Sequence, residues 1–177
     1  MISKKIDRSG KTSNFERLGR YLVNADSLES TVMWTRTADY ILDDVLTSEG
    51  EKVLWYRISN CESEQPAMAI AEVELTQSRN TRSKADRTMH LVVSFPEGEI
   101  PTREQLEDIE DEICKALGYG EHQRISAVHQ DTENRHLHIA INKIHPTTFL
   151  IHDPGNDYYI RDRVCRELEL KHGLTKD

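Results

Sequence analysis

The sequence predicts an α+β domain built on a central antiparallel sheet of about five strands flanked by helices. Short apolar or alternating segments, too brief for helices, recur between longer stretches of helical periodicity. Two strand segments, 124–130 and 135–144, are separated by four residues, too few for a parallel crossover, so they form a hairpin. Finally, 177 residues with 37% hydrophobic and 31% charged content suit one globular domain. No internal repeat or low-complexity linker divides the chain, so 1–177 is read as a single domain.

Residues 1–6 read as the first strand, and 15–23 as a helix capped by Ser13 or Asn14. A second helical stretch is expected over 36–45. The aromatic and branched run Lys-Val-Leu-Trp-Tyr-Arg-Ile-Ser, 52–59, is strand-like. A helix follows over 66–78, with Pro66 at its start, where its missing N–H costs nothing. After a strand at 90–95, the next helix, 102–117, has Thr102 followed three residues later by Gln105, a capping box, and Gly118 at its end. The hairpin comes next. The last helix, 159–172, is closed by Gly173.

Composition excludes several classes. No apolar run approaches the roughly 18 residues of a membrane span, so membrane insertion is not expected. The opening MISKKIDRSG has no apolar stretch after its lysines and does not read as a secretory signal. Cys61, Cys114 and Cys165 are odd in number, widely spaced and without a C-x-x-C, which suits reduced structural thiols in a cytoplasmic protein. The net charge of −8 is awkward for a phosphate-rich partner, but it has a local origin. Residues 97–112 hold eight acids against Arg103 alone, the pattern of an acidic outer helix. By contrast, the first 24 residues are basic, with Lys11 and Arg20 among six bases, and Arg79, Arg82, Lys84 and Arg87 form a second cluster. Charge spread so unevenly permits a basic groove beside an acidic helix.

The most informative stretch is His129-Gln-Asp-Thr-Glu-Asn-Arg-His136-Leu-His138-Ile-Ala-Ile-Asn142. Side chains alternate along a strand, so His136, His138, Ala140 and Asn142 share one face and Leu137, Ile139 and Ile141 the other. The hairpin brings His129 beside His136. An H-x-H pair alone also occurs in metal-storage tracts. A third histidine at hairpin spacing, backed by an apolar face, instead suggests three imidazoles around a catalytic divalent metal with open coordination positions. Asp131 is placed to orient one ring from behind. His90, His122, His145, His152 and His172 do not fit this pattern and are read as surface or outer residues.

The pattern H-x-D-T-x-N-x-H-x-H-I-x-I-N resembles the signature motif of the conjugative relaxases, mobilisation nickases of the HUH endonuclease superfamily. The run Phe15-Glu-Arg-Leu18-Gly-Arg-Tyr21 is similar to that family's first motif, F-x-x-L-x-x-Y, whose tyrosine is the nucleophile. Asn80-Thr-Arg-Ser83 and His90-Leu-Val-Val-Ser94-Phe95 resemble its second motif region, in which a serine corresponding to Ser94 contacts DNA near the cut. With His145-Pro146 and the closing Glu-Leu-Lys-His-Gly-Leu, the likeness spans nearly the whole chain and points to the MOB-P class. The sequence departs from the shorter family pattern between Leu22 and Trp55, where Tyr40 offers an alternative nucleophile; the motif context favours Tyr21.

That resemblance implies a site- and strand-specific nick in single-stranded DNA at a plasmid transfer origin, made by tyrosine transesterification with a 5′-phosphotyrosine link. It implies Mg²⁺ or Mn²⁺ on His129, His136 and His138, with Asp131 and Asn142 behind them. DNA contacts are expected from Ser94, Arg79, Arg82, Lys84, Lys11 and Arg20. Accessory relaxosome proteins and a coupling protein are the expected partners. The implied setting is the bacterial cytoplasm, with passage to a recipient cell attached to DNA. Family members carry this module at the N-terminus of a longer chain. Three rival readings stand beside it: a rolling-circle replication initiator of the same superfamily, a three-histidine metal hydrolase using activated water, and an idle DNA- or metal-binding module.

Overall fold

In the computed structural model, residues 1–6, 15–23, 52–130 and 134–176 are described. In chain order they form β1 (Ile2–Lys5), α1 (Phe15–Val23), β2 (Lys52–Ser59), α2 (Pro66–Ser78), β3 (Thr88–Ser94), α3 (Arg103–Ala116), β4 (Arg124–Gln130), β5 (Arg135–Asn142) and α4 (Asp157–His172). The helix expected over 36–45 lies outside the described residues. The strands make one five-stranded sheet in the order β1-β3-β5-β4-β2, and every neighbouring pair is antiparallel. The predicted α+β class and the hairpin are therefore both present.

Boundaries shift where tertiary contacts outweigh local pattern. β3 starts two residues earlier than expected because Thr88 pairs with Asn142. β5 stops at Asn142, and Ile144 instead bridges Ile151 in isolation. α4 begins at Asp157, ahead of the two tyrosines. The capping box of α3 forms as read: the Gln105 N–H donates to Thr102 Oγ1 at 3.2 Å, and the Thr102 N–H donates to Gln105 Oε1 at 2.8 Å.

Alternation gives the sheet two apolar faces. On one, Leu91, Val93, Val128, Leu137, Ile139 and Ile141 pack against Leu106, Ile109, Ile113, Val164 and Leu168 of α3 and α4. On the other, Ile125, Ala127 and Ala140 pack against Phe15, Leu18, Leu22, Ala69, Ile70 and Val73 of α1 and α2. The two helices of this second layer come close because α1 carries Gly19. A Cβ there would lie 3.0 Å from Cγ1 of Ile70, tighter than packed carbons tolerate. The acidic stretch of α3 is not wholly an outer face. Glu110 is fully buried and accepts from Arg124 Nε at 2.7 Å and from the Ser126 hydroxyl at 2.6 Å, while Arg57 bonds both oxygens of Asp111 at 3.0 and 3.1 Å. Buried charges persist only when paired in this way.

The cysteines behave as the sequence suggests. Cys114 and Cys165 are buried and Cys61 is half-buried, and all three are free. Burial pushes their thiols up to about 12, 11 and 12 respectively, so they stay protonated and unreactive near neutral pH.

Candidate active site

The register of β4 and β5 sets His129 directly opposite His136, with Ala127 opposite His138. All three imidazoles therefore project from the sheet face that α1 covers. The His129 and His138 rings stack, with centroids 4.6 Å apart and an interplanar angle of 30°. His136 stands edge-on to His138 at 6.3 Å. His129 is 2% exposed and His138 8%, whereas His136 at the strand end is half-buried.

Helix α1 brings Tyr21 onto this cluster. Its ring meets His129 edge-on at 5.3 Å and His138 at 6.0 Å. The amphipathic pattern of α1 explains the placement: Phe15, Leu18, Leu22 and Val23 are buried, and Tyr21 sits half-buried at the edge of that stripe. His129 Nε2 donates to the Leu22 carbonyl at 2.9 Å. Leu22 lies in the last described turn of α1, so this bond ties that turn to β4. Tyr21 and His129 are thereby held together through adjacent residues.

Strand β3 lies against the outer side of β5, and Ser94 pairs directly with His136. The Ser94 hydroxyl is 3.0 Å from His136 Nδ1, and His90 Nε2 is 3.1 Å from His138 Nδ1. Sequence reasoning left His90 aside. Its signal was parity: two and four residues before Val92 and Ser94, it faces the same way as the serine that the motif singled out.

Other expected residues fall elsewhere. Asn142 is four residues beyond His138, at the far end of β5, and its side chain bonds Gln77, Gln123 and the Ile144 N–H, at 3.2, 3.0 and 3.0 Å. It does not stand behind the histidines; it ties β5 to α2 and to the segment before β4. The basic stretch between α2 and β3 enters β3 at Thr88, the end opposite Ser94. Arg82 and Lys84 are exposed there, and Arg79 lies over the Phe149 ring at 5.0 Å. Arg20, beside Tyr21, makes an ion pair with Glu16 at 3.2 Å. Lys11, Tyr40 and Asp131 lie outside the described residues.

Among the described residues, no three His, Cys, Asp or Glu side chains are arranged so that together they could hold a metal ion. The donor chemistry nevertheless fits a divalent cation. Each of the three rings has one nitrogen engaged by the protein: His129 by the Leu22 carbonyl, His136 by Ser94 and His138 by His90. Such bonds determine the tautomer and thus which nitrogen a cation takes, as in metal sites generally. Three neutral imidazoles also leave a cation's charge uncancelled.

A second aromatic cluster lies near the far end of β5. Tyr119 meets His122 and His152 edge-on, both at 5.0 Å, and His145 meets His122 at 5.2 Å. Here three of the polar side chains bond backbone: His122 Nδ1 donates to the Asn142 carbonyl at 2.7 Å, His152 Nε2 to the Leu117 carbonyl at 2.8 Å, and the Tyr119 hydroxyl to the His152 carbonyl at 2.9 Å, while His145 Nε2 lies 3.1 Å from a Glu121 carboxylate oxygen. Gly118, at φ +83°, makes room: a Cβ there would lie 2.5 Å from His152 Nε2. Burial holds the His122 imidazole below its usual range.

A family model for the nuclease domain of MobA/VirD2-like relaxases matches residues 40–174. A protein TraI of Escherichia coli is 50% identical over 178 residues, covering 100% of this chain and 21% of that protein. A second Escherichia coli protein TraI is 49% identical over 140 residues, 79% of this chain and 18% of its own length. Protein MobA of Acidithiobacillus ferrooxidans is 43% identical over 79 residues, 45% of this chain and 19% of its own. The chain thus spans about a fifth of the length of these relatives.

Proposed function

The chain belongs to the MobA/VirD2-like relaxase nuclease-domain family, and from that premise we propose that it nicks one strand of DNA at a plasmid transfer origin through a covalent bond to Tyr21. The observation that carries the choice of residue is the edge-on approach of the Tyr21 ring to both His129 and His138. Tyr21 lies outside the residues matched by the family model but inside the stretch aligned with the first TraI. Its place in F-x-x-L-x-x-Y and its seat above the histidines support it over Tyr40.

In the proposed reaction, Tyr21 Oη attacks the scissile phosphorus in line. The Oη–P bond forms and the bond from phosphorus to the 3′ oxygen breaks, leaving a 5′-phosphotyrosine and a free 3′-hydroxyl. The phenol, with an ordinary pKa near 10, must give up its proton to a base as it attacks, and the departing 3′ oxygen must gain one. His129, His136 and His138 would hold Mg²⁺ or Mn²⁺, which when bound polarises the phosphate and stabilises charge in the transition state. Imidazole donors favour Mn²⁺ over Mg²⁺, so Mn²⁺ is expected to bind more tightly. Ser94, whose hydroxyl lies against His136, is proposed to meet the strand beside the cut. A tyrosine ester conserves the phosphodiester energy, so the 3′-hydroxyl can reverse the step; attack by water could not be reversed in this way.

The strand must be single or locally melted for its phosphate to reach a site covered by α1. Arg20, Arg79, Arg82, Lys84 and Lys11 are the basic side chains proposed for its backbone. Accessory relaxosome proteins, a coupling protein, a cytoplasmic setting and passage to a recipient with the DNA complete the reading. No helix among the described residues is long and apolar enough to cross a membrane.

The test is a denaturing gel of the protein incubated with Mn²⁺ and a single-stranded oligonucleotide spanning the transfer origin, comparing wild type, Tyr21→Phe and Tyr40→Phe. A protein–DNA adduct lost in Tyr21→Phe and kept in Tyr40→Phe supports the proposal. The opposite pattern makes Tyr40 the nucleophile. Cleavage with no adduct would replace transesterification by water-driven hydrolysis.

A further inference from the structure

Resting on the reading of the three histidines as the cation's ligands, we propose that His90 is a positioning residue that fixes the tautomer and orientation of His138 by accepting a hydrogen bond from its Nδ1–H. Alternation puts His90 on the histidine face of β3, and the register, Val92 opposite His138 and Ala140 opposite His90, makes the two histidines diagonal neighbours. Their rings are 5.3 Å apart at 33°, with His90 Nε2 3.1 Å from His138 Nδ1. His90 is 9% exposed and His138 8%, so water competes little for the bond.

The direction of the bond follows from the chemistry. A neutral imidazole has one N–H and one lone pair. For His138 to offer Nε2 to a cation, its Nδ1 must carry the proton, and that proton needs an acceptor. His90 Nε2 supplies it, with the His90 proton on Nδ1. Ser94 stands in the same relation to His136 Nδ1. Strand β3 thus contributes no ligand but backs both ligands of β5.

The type of partner also matters. Outer partners of metal-bound histidines are commonly carboxylates or carbonyls. A neutral imidazole fixes the ring without adding negative charge, so the cation keeps more of its pull for the phosphate.

The experiment measures Mn²⁺ affinity by calorimetry, without DNA, for wild type, His90→Leu, His90→Gln, His90→Asn and His136→Ala, together with thermal unfolding in EDTA. Gln presents an acceptor near the position of Nε2; Leu has none, and Asn is too short to reach. Leu and Asn are expected to weaken Mn²⁺ binding about 10–100-fold, and Gln to hold it within about threefold, with all melting temperatures in EDTA close to wild type. Should Leu fail to fold, the contrast between Asn and Gln carries the test. Wild-type affinity in Asn or Leu overturns the proposal. So does a Gln variant as weak as Leu, because packing rather than acceptance would then be at work. If His136→Ala binds Mn²⁺ as wild type does, the failure belongs to the ligand assignment on which the inference rests.

Discussion

Two clusters in this molecule look alike at first sight: His90, His129, His136 and His138 with Tyr21, and His122, His145 and His152 with Tyr119. In both, a tyrosine ring meets two histidines edge-on at about 5–6 Å. They differ in where their polar atoms go. Around Tyr119, His122, His152 and the hydroxyl satisfy backbone carbonyls, His145 lies against the exposed Glu121 carboxylate, and the fully buried Tyr119 is pinned by its own bond to the His152 carbonyl. Burial holds the Tyr119 phenol well above its usual range, the reverse of what a nucleophile needs. Around Tyr21, His138 and His136 bond side chains of the neighbouring strand, His90 and Ser94, while His129 bonds the Leu22 carbonyl, and the tyrosine is half-buried. Clustering of histidines is not by itself a functional signal; the burial and bonding of the tyrosine separate a packed corner from the proposed site.

The contrast is most easily broken by exchanging the tyrosines' fates. Tyr21→Phe is expected to reduce adduct formation by at least roughly 10³-fold, as removal of a covalent nucleophile does. Tyr119→Phe should leave nicking nearly unchanged while losing one buried hydrogen bond, worth about 1 kcal/mol or roughly 2–4 °C in Tm. A gel assay and a melting curve on both variants check this, and loss of adduct in Tyr119→Phe would erase the distinction.

Next in size are the histidines. His136→Ala should weaken Mn²⁺ binding by more than the roughly 10–100-fold that an outer partner alone costs. His152→Ala should leave Mn²⁺ affinity intact but destabilise the fold by about 1–3 kcal/mol, because the Leu117 carbonyl loses its donor. Calorimetry paired with urea unfolding separates the two outcomes. Gly118→Ala probes the second cluster from the backbone side: a Cβ at φ +83° against His152 should cost about 1–3 kcal/mol in urea unfolding, with nicking preserved in the folded fraction.

The smallest effect is a pH dependence. His122 has a folded-state value below its unfolded one, so the unfolded chain binds more protons over that interval. Stability attributable to His122 is therefore present above about pH 6.5 and is lost as pH falls from there through the folded value. Urea midpoints measured from pH 7.5 down to 5 should decline less steeply in His122→Gln than in wild type. Parallel slopes would place that pH dependence elsewhere.

Much of this was legible in the sequence because it follows from short-range rules. Strand alternation put His136 and His138 on one face and Leu137, Ile139 and Ile141 on the other, and a four-residue connection set His129 opposite His136. The capping box at Thr102 was read from two residues. What could not be read was neighbour order. Nothing local states that β3 lies against β5, so His90 had no visible partner, although its parity with Ser94 was available. Asn142 misled for the same reason: alternation gave its face correctly, but its partners Gln77 and Gln123 come from distant segments. The acidic run concealed Glu110, whose inward direction depends on Arg124 in the next element, β4.

The bond from His129 to the Leu22 carbonyl also has a mechanical consequence. In the proposed reaction, a DNA strand joined to Tyr21 would pull on helix α1, which belongs to no sheet ladder. Tension on that strand would be resisted by the apolar seat of Phe15, Leu18 and Leu22 and by this polar tie to β4, a strand flanked on both sides. Force applied through the DNA would peel α1 away before it sheared the sheet, withdrawing the phosphotyrosine from the histidines while those stayed in register.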